Sequence, residues 1–132
     1  MRYLLDTHTF LWALLDRKKL SPKVLGLLQD ASHDVFVSAV SFWEISLKFR
    51  LGKLDLAGVS PEQLPALAQE SGFDLLPLVA SEAAGYHLLD ADWHRDPFDR
   101  MLIGQAIMHD LTLLSKDKTI RQYQSLGLKL LW

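Results

Sequence analysis

Apolar residues fall into two kinds of run along this chain. Short continuous runs, at residues 3–5, 35–38, 73–78, 111–115 and 127–132, match strands buried on both faces, as in a parallel sheet. Between them lie longer stretches in which apolar positions return every three or four residues, as one face of a helix requires. The first begins near Thr9 and runs through Phe10, Leu11, Trp12 and Leu14 to a polar turn at 16–19. Ser21 and Pro22 start a second, with a capping side chain followed by proline at the first helical position. Ser41 and Glu44 have the spacing of a capping box at the head of a third, which Gly52 ends. Further helices are expected between Ser60 and Gly72, from Ser81 to Leu89, over 99–109 and, briefly, over 119–124. Pro77 implies that the third strand stops early or lies at an edge, and the last strand is also expected at an edge. The link from the first strand to the second is long and helical, as a right-handed parallel crossover requires. The expectation is an α/β fold in three layers, a mainly parallel sheet of four to five strands flanked by helices.

Composition narrows the class. A chain of 132 residues is sized for one domain, residues 1–132, with a real core. With 49% apolar and 23% charged residues it is not a disordered chain. The lack of cysteine excludes disulfides and thiolate metal sites and agrees with a reducing interior. No apolar run approaches the roughly 18 residues of a membrane span. Met1 and Arg2 lead straight into a strand and not into a signal peptide, so a cytoplasmic protein is expected. A formal charge of −2 argues against a globally basic nucleic-acid coat and leaves any such binding to a local patch.

Candidate chemistry concentrates at residues 94–106, where His94, Arg95, Asp96, Asp99 and Arg100 lead into an apolar helical run. Asp96 before Pro97 suits a helix cap, and an acid in the first turn complements the macrodipole. Asp99 lies inside the helix, where no cap is needed. Asp6 closes the first strand, and open α/β sheets bind ligands beyond the carboxyl ends of their strands; the alternative is a cap for the next helix. Glu44 has the same two readings, capping-box partner or ligand at that edge. Asp117 follows the fourth strand.

A parallel sheet gathers such junctions at one rim. Four carboxylates there, Asp6, Glu44, Asp99 and Asp117, repel one another and need a cation or shared protons. With no cysteine and only His8 and His94 nearby, the ligand set is mostly oxygen, which selects Mg²⁺ or Mn²⁺ over zinc. A hard dication in an open carboxylate site activates water and neutralises a phosphoryl group. Lys48, Arg95, Arg100 and Lys116 would attract an anionic substrate, the bland alternative being solvated helix faces. The residues point to phosphodiester hydrolysis.

Four segments carry a resemblance. Leu4-Leu5-Asp6-Thr7-His8, then Ser41-Phe42-Trp43-Glu44-Ile45 with Lys48 and Gly52-Lys53-Leu54, then His94 to Arg100, then Leu114-Ser115-Lys116-Asp117 resemble the PIN-domain ribonucleases. The likeness is closest to the VapC-type toxins of toxin–antitoxin pairs, and it spans nearly the full length in the expected order. It implies a PIN-like fold and a magnesium-dependent endoribonuclease, with Mn²⁺ as a substitute, whose metal-holding acids correspond to Asp6, Glu44, Asp99 and Asp117. In such enzymes an activated water attacks phosphorus in line and leaves a 5′-phosphate. Asp96 corresponds to an extra acid before the proline and Ser115 to a hydroxyl just before the last acid. Both, with Thr7 of the first segment, take supporting roles. The resemblance further implies homodimers and a cognate VapB-like antitoxin whose tail fills a hydrophobic groove. Phe10, Trp12, Phe42, Trp43 and Phe49 are candidates to line it, although aromatics at helical spacing are more often core.

Two rivals belong to other classes. A phosphate-handling enzyme of the haloacid dehalogenase kind also starts with an acid after its first strand, but requires a second acid two residues on, where this chain has His8. A non-catalytic PIN-like module that binds RNA or protein would have no need to keep mutually repelling carboxylates together.

Overall fold

A computed structural model describes residues 1–132. Strand β1 (Arg2–Leu5) leads through helices α1 (Thr7–Leu15) and α2 (Pro22–Gln29) to β2 (Asp34–Ser38). Helices α3 (Ala39–Arg50) and α4 (Leu64–Glu70) then connect to β3 (Asp74–Leu76). The chain returns through α5 (Ala80–Ala84) and α6 (Pro97–Met108) to β4 (Thr112–Leu114), and a 3₁₀ run (Lys118–Leu126) precedes β5 (Lys129–Leu131). All neighbouring strands pair in parallel, in the order β3-β2-β1-β4-β5. The α/β architecture expected from the pattern is therefore present, with β3 and β5 at the two edges.

Alternation along the strands divides the core between the two faces of the sheet. Tyr3 and Leu5 of β1 with Val35 and Val37 of β2 bury against Phe10, Ala13, Val24 and Leu64 from the helices on one side. Leu4 and Leu113 bury against Leu102, Ile103 and Ala106 of α6, together with Ile120 and Tyr123, on the other. Each fully buried leucine here contributes about 2 kcal/mol of transfer free energy.

Several boundaries differ from the expected ones: α1 begins at Thr7 and not near Thr9, β3 covers only 74–76, α5 ends at Ala84, and two further differences bear on the acids. Ser38, still extended at the end of β2, caps α3 by accepting from the Val40 N–H at 3.0 Å, so the helix follows the strand without a loop. Ser41 therefore lies inside α3 and Glu44 in its second turn; they do not form a capping box. Helix α6 likewise begins at Pro97, two residues before the expected start, because Asp96 is extended and accepts from the N–H groups of Phe98 and Asp99.

The strand order reverses between β1 and β4, and that is where an open parallel sheet leaves a crevice beyond its carboxyl ends. Leu5 pairs with Leu114, so Asp6 and Ser115 leave the sheet side by side, and the Asp6 N–H donates to the Leu114 carbonyl at 3.2 Å. No helix is long and apolar enough to cross a membrane.

Candidate metal centre

Asp6 is both cap and site candidate. Its Oδ1 accepts from the Thr9 N–H at 2.8 Å, which fixes the first turn of α1. Burial raises the pKa of the Asp6 carboxyl above the usual range, while hydrogen bonds from Ser115 and Thr9 oppose that shift. Ser115 is itself buried, and its Oγ accepts from the Asp117 N–H at 3.1 Å, so one hydroxyl ties both strand ends together.

Glu44 comes in from α3, almost wholly buried. Thr7 Oγ1 lies 3.0 Å from Ser41 Oγ and donates to Glu44 Oε1 at 2.6 Å, bridging α1 to α3. Lys48, one helical turn on, donates to Glu44 Oε2. Burial works to lower the pKa of the Lys48 ammonium, but the bond to Glu44 and the nearby charges of Asp96 and Asp99 outweigh it and raise the pKa. Lys48 thus stands within the field of three acids.

Asp99 projects from the first turn of α6. Burial raises its pKa to about 6, helped by repulsion from Asp96 and Glu44 and resisted by its bond to His94. His94 Nε2 lies 2.7 Å from Asp99 Oδ2 and 3.9 Å from Asp117 Oδ2, and its Nδ1 lies 3.2 Å from Thr119 Oγ1. Asp117 caps the 3₁₀ run, accepting from the Thr119 N–H and hydroxyl at 2.9 and 2.6 Å. One ligand atom each from His94, Asp99 and Asp117 lies within 4.8 Å of the others. Such a group suits a small divalent ion, and the repulsion on Asp99 is what a cation would relieve. Asp6 and Glu44 lie outside this group; Asp6 shares with Asp117 a hollow of about 300 Å³ that His8, Trp12 and Lys116 also line.

His94 is the member that a count of acids at strand ends misses. Its only signal in the sequence is its place in the charged stretch, two residues before Asp96. Arg100 departs from its expected place on the rim. It is 6% exposed, and its guanidinium donates to the carbonyls of Leu89 at 2.9 Å and Ala91 at 2.5 Å and to Tyr123 Oη at 3.2 Å. These bonds pin the loop that carries His94 and leave little of the fork for a substrate. Arg95 is exposed and lines a hollow on that loop beside Asp90 and Asp92, while Lys116 is exposed at the mouth of the crevice. Gln105, also unforeseen, is buried on α6; its Oε1 accepts from Ser38 Oγ at 2.5 Å and its Nε2 donates to the Pro77 carbonyl at 3.2 Å, which seats α6 over the sheet.

The aromatic candidates for a groove divide. Phe10 is fully buried between Phe42 and Phe73, so it belongs to the core and cannot line a surface. Trp12 and Phe42 are half-buried, whereas Trp43 and Phe49 stand exposed on α3 with Leu47 and Leu51 beyond.

The fold and the residues at its head can be compared with known proteins. Ribonuclease VapC22 of Mycobacterium tuberculosis is 27% identical over 122 residues, spanning 92% of this chain and 91% of that protein. A chain of the DNA-bound VapBC2 complex from Rickettsia felis superposes with a TM-score of 0.69 at 18% identity, over 99% of this chain and 98% of that one. A chain of the DNA-bound VapBC complex from Salmonella typhimurium gives 0.65 at 16%, over 99% and 97%. The PIN domain profile matches residues 3–126, which include every acid of the crevice, and the chain accordingly belongs to the PIN domain family.

Proposed function

We propose that this protein is a metal-dependent endoribonuclease and the toxin of a toxin–antitoxin pair. The observation that carries the reading is the convergence of His94, Asp99 and Asp117 within 4.8 Å beside Glu44 and Asp96, on a fold shared with a VapC ribonuclease and with VapBC complexes. Asp6, Glu44, Asp99 and Asp117 would hold Mg²⁺ or Mn²⁺. When bound, the ion would stabilise charge on the phosphoryl group and lower the pKa of a water molecule.

The remaining residues act on one another and on the substrate. Thr7 orients the Glu44 carboxylate, and the Ser115 hydroxyl bonds the Asp6 carboxyl and orders the Asp117 backbone. Asp96 fixes the first turn of α6 and so the direction of Asp99. Lys48 beside Glu44, Asp96 and Asp99, and Lys116 beside Asp6 and Asp117, would draw the phosphodiester in; Arg95 is the outlying cation of this set. The proposed partners are RNA, a second copy of the chain and a VapB-like antitoxin. The exposed Trp43, Leu47, Phe49 and Leu51 offer an antitoxin segment an apolar landing.

The test is cleavage of a structured RNA with exposed loops by purified protein in Mn²⁺. Cleavage should stop with chelator and fall by at least about 100-fold in Glu44→Gln. A wild-type protein whose melting point does not respond to Mg²⁺ or Mn²⁺ would instead be a binding module.

A further inference from the structure

Beside the acids lies a surface with different chemistry. His8 and Trp12 stand one turn apart on α1, their rings 5.8 Å apart and inclined at 37°. The β4–β5 register brings Trp132 to the same place: Leu114 pairs with Leu131, the Ser115 N–H donates to the Leu131 carbonyl at 3.2 Å, and Trp132 follows. The two indoles then meet edge to face at 5.9 Å. The hollow of about 300 Å³ bounded by Asp6, His8, Trp12, Lys116 and Asp117 adjoins a second of about 230 Å³, which shares Lys116 and Asp117 and adds Lys118, Arg121 and Trp132. A track thus leads from the acids past alternating aromatic rings and cations.

Those cations are unspent. Lys116, Lys118 and Arg121 have no carboxylate within 4.0 Å, although the chain carries more acid than base. Lys116 and Lys19 each hold an ammonium 5.9 Å from the Trp12 ring centre, at the outer limit of cation–π attraction, so a flat ligand sliding onto the indole displaces little. π-faces interleaved with free positive charge match a chain whose bases are unstacked and whose phosphates repeat between them. The cations Lys116, Lys118 and Arg121 ask for a partner with repeated negative charge as well as flat rings, which favours the nucleic acid over an apolar peptide tail.

We infer that the Trp12–Lys116–Trp132 surface, with Arg121 at its far end, is a subsite for single-stranded RNA. It stacks a base next to the scissile phosphate and holds the following phosphates electrostatically. Its position relative to the cleaved bond rests on the ribonuclease reading above; its affinity for RNA does not.

The test measures binding by fluorescence anisotropy, using a short fluorescein-labelled single-stranded RNA of mixed sequence and its duplex, in chelator. Trp12→Ala should weaken single-strand binding about tenfold, and Trp12→Phe should hold it within about threefold. Duplex binding should change little in either. Lys116→Ala with Arg121→Ala should flatten the salt dependence by about 0.7 for each phosphate the protein no longer neutralises. Circular dichroism identifies misfolding; should Trp12→Ala misfold, the exposed Lys116/Arg121 pair decides. Folded variants that bind the single strand as tightly as wild type would overturn the subsite, even if wild type cleaves RNA in Mn²⁺. Variants that bind RNA normally but fail to retain a co-expressed antitoxin would overturn it as well, marking a protein-docking face. Loss of RNA binding in the variants, with a wild type that cleaves nothing in Mn²⁺, would leave the subsite standing and remove the ribonuclease reading.

Discussion

His94 Nε2 stands 2.7 Å from one carboxylate, that of Asp99, in a loop-to-helix junction whose second acid, Asp117, arrives from the far side of β4. An imidazole shared by two acids in this way is placed to join them around a cation. Nitrogen ligation suits Mn²⁺ better than Mg²⁺, which prefers an all-oxygen shell.

His94→Ala is therefore expected to lower Mn²⁺ affinity about tenfold and Mg²⁺ affinity by much less, as read by titration calorimetry. Equal losses for the two ions would confine the imidazole to orienting Asp99. No loss for either would remove it from the centre.

Asp99 makes stability depend on pH in a direction that can be stated. The unfolded chain releases this proton near the ordinary 3.8, whereas the folded chain keeps it up to about 6. Between those values the folded state binds more protons, so folding weakens as pH rises through the window, and the penalty is complete above it. Asp99→Asn removes the ionisation. The metal-free variant should melt higher than metal-free wild type at pH 7, with the gap closing toward pH 4. Thermal melts of both proteins across that range in chelator provide the check. A gap independent of pH, or a variant less stable at pH 7, would contradict the assignment.

Arg100 is a buried cation whose bonds hold the loop that bears His94. Arg100→Met leaves the Leu89 carbonyl without its side-chain donor, takes from the Ala91 carbonyl one of two donors, the other being the Tyr123 hydroxyl, and loosens the loop bearing His94. We expect a loss of about 3 kcal/mol in urea denaturation, together with a smaller rise in melting point on adding Mn²⁺. Arg100→Lys should recover little, since one ammonium cannot span the positions the guanidinium fork reaches. A stability within about 0.5 kcal/mol of wild type would show that the loop is held by other means.

Much of this arrangement is legible in the amino-acid order. Asp6 at the end of a short apolar run, and Asp117 at the end of another, locate a rim once the strands are read as parallel, and pairing of Leu5 with Leu114 brings them together. What periodicity cannot reveal is direction within a loop. His94 sits in a stretch without helical or strand repeat, so nothing local says which way its ring turns. Arg100 resembles a rim cation only while its charge is weighed without its register. It lies one residue past Asp99 on a helix whose neighbours Leu102, Ile103 and Ala106 face inward. Ser41 and Glu44 show the converse failure, where a local spacing that fits a cap is overruled by Ser38, which takes that role at the strand end.

The position of β1 in the middle of the sheet bears on when the candidate centre can form during synthesis. Its last partner, β4, is made more than a hundred residues after it, and Asp99 and Asp117 belong to that late portion. A nascent chain or fragment that ends before Asp99 carries Asp6 and Glu44 with nothing to complete them. On the proposed reading, a copy that stops before Asp99 holds only part of the centre, and its assembly waits for the portion that carries Asp99 and Asp117.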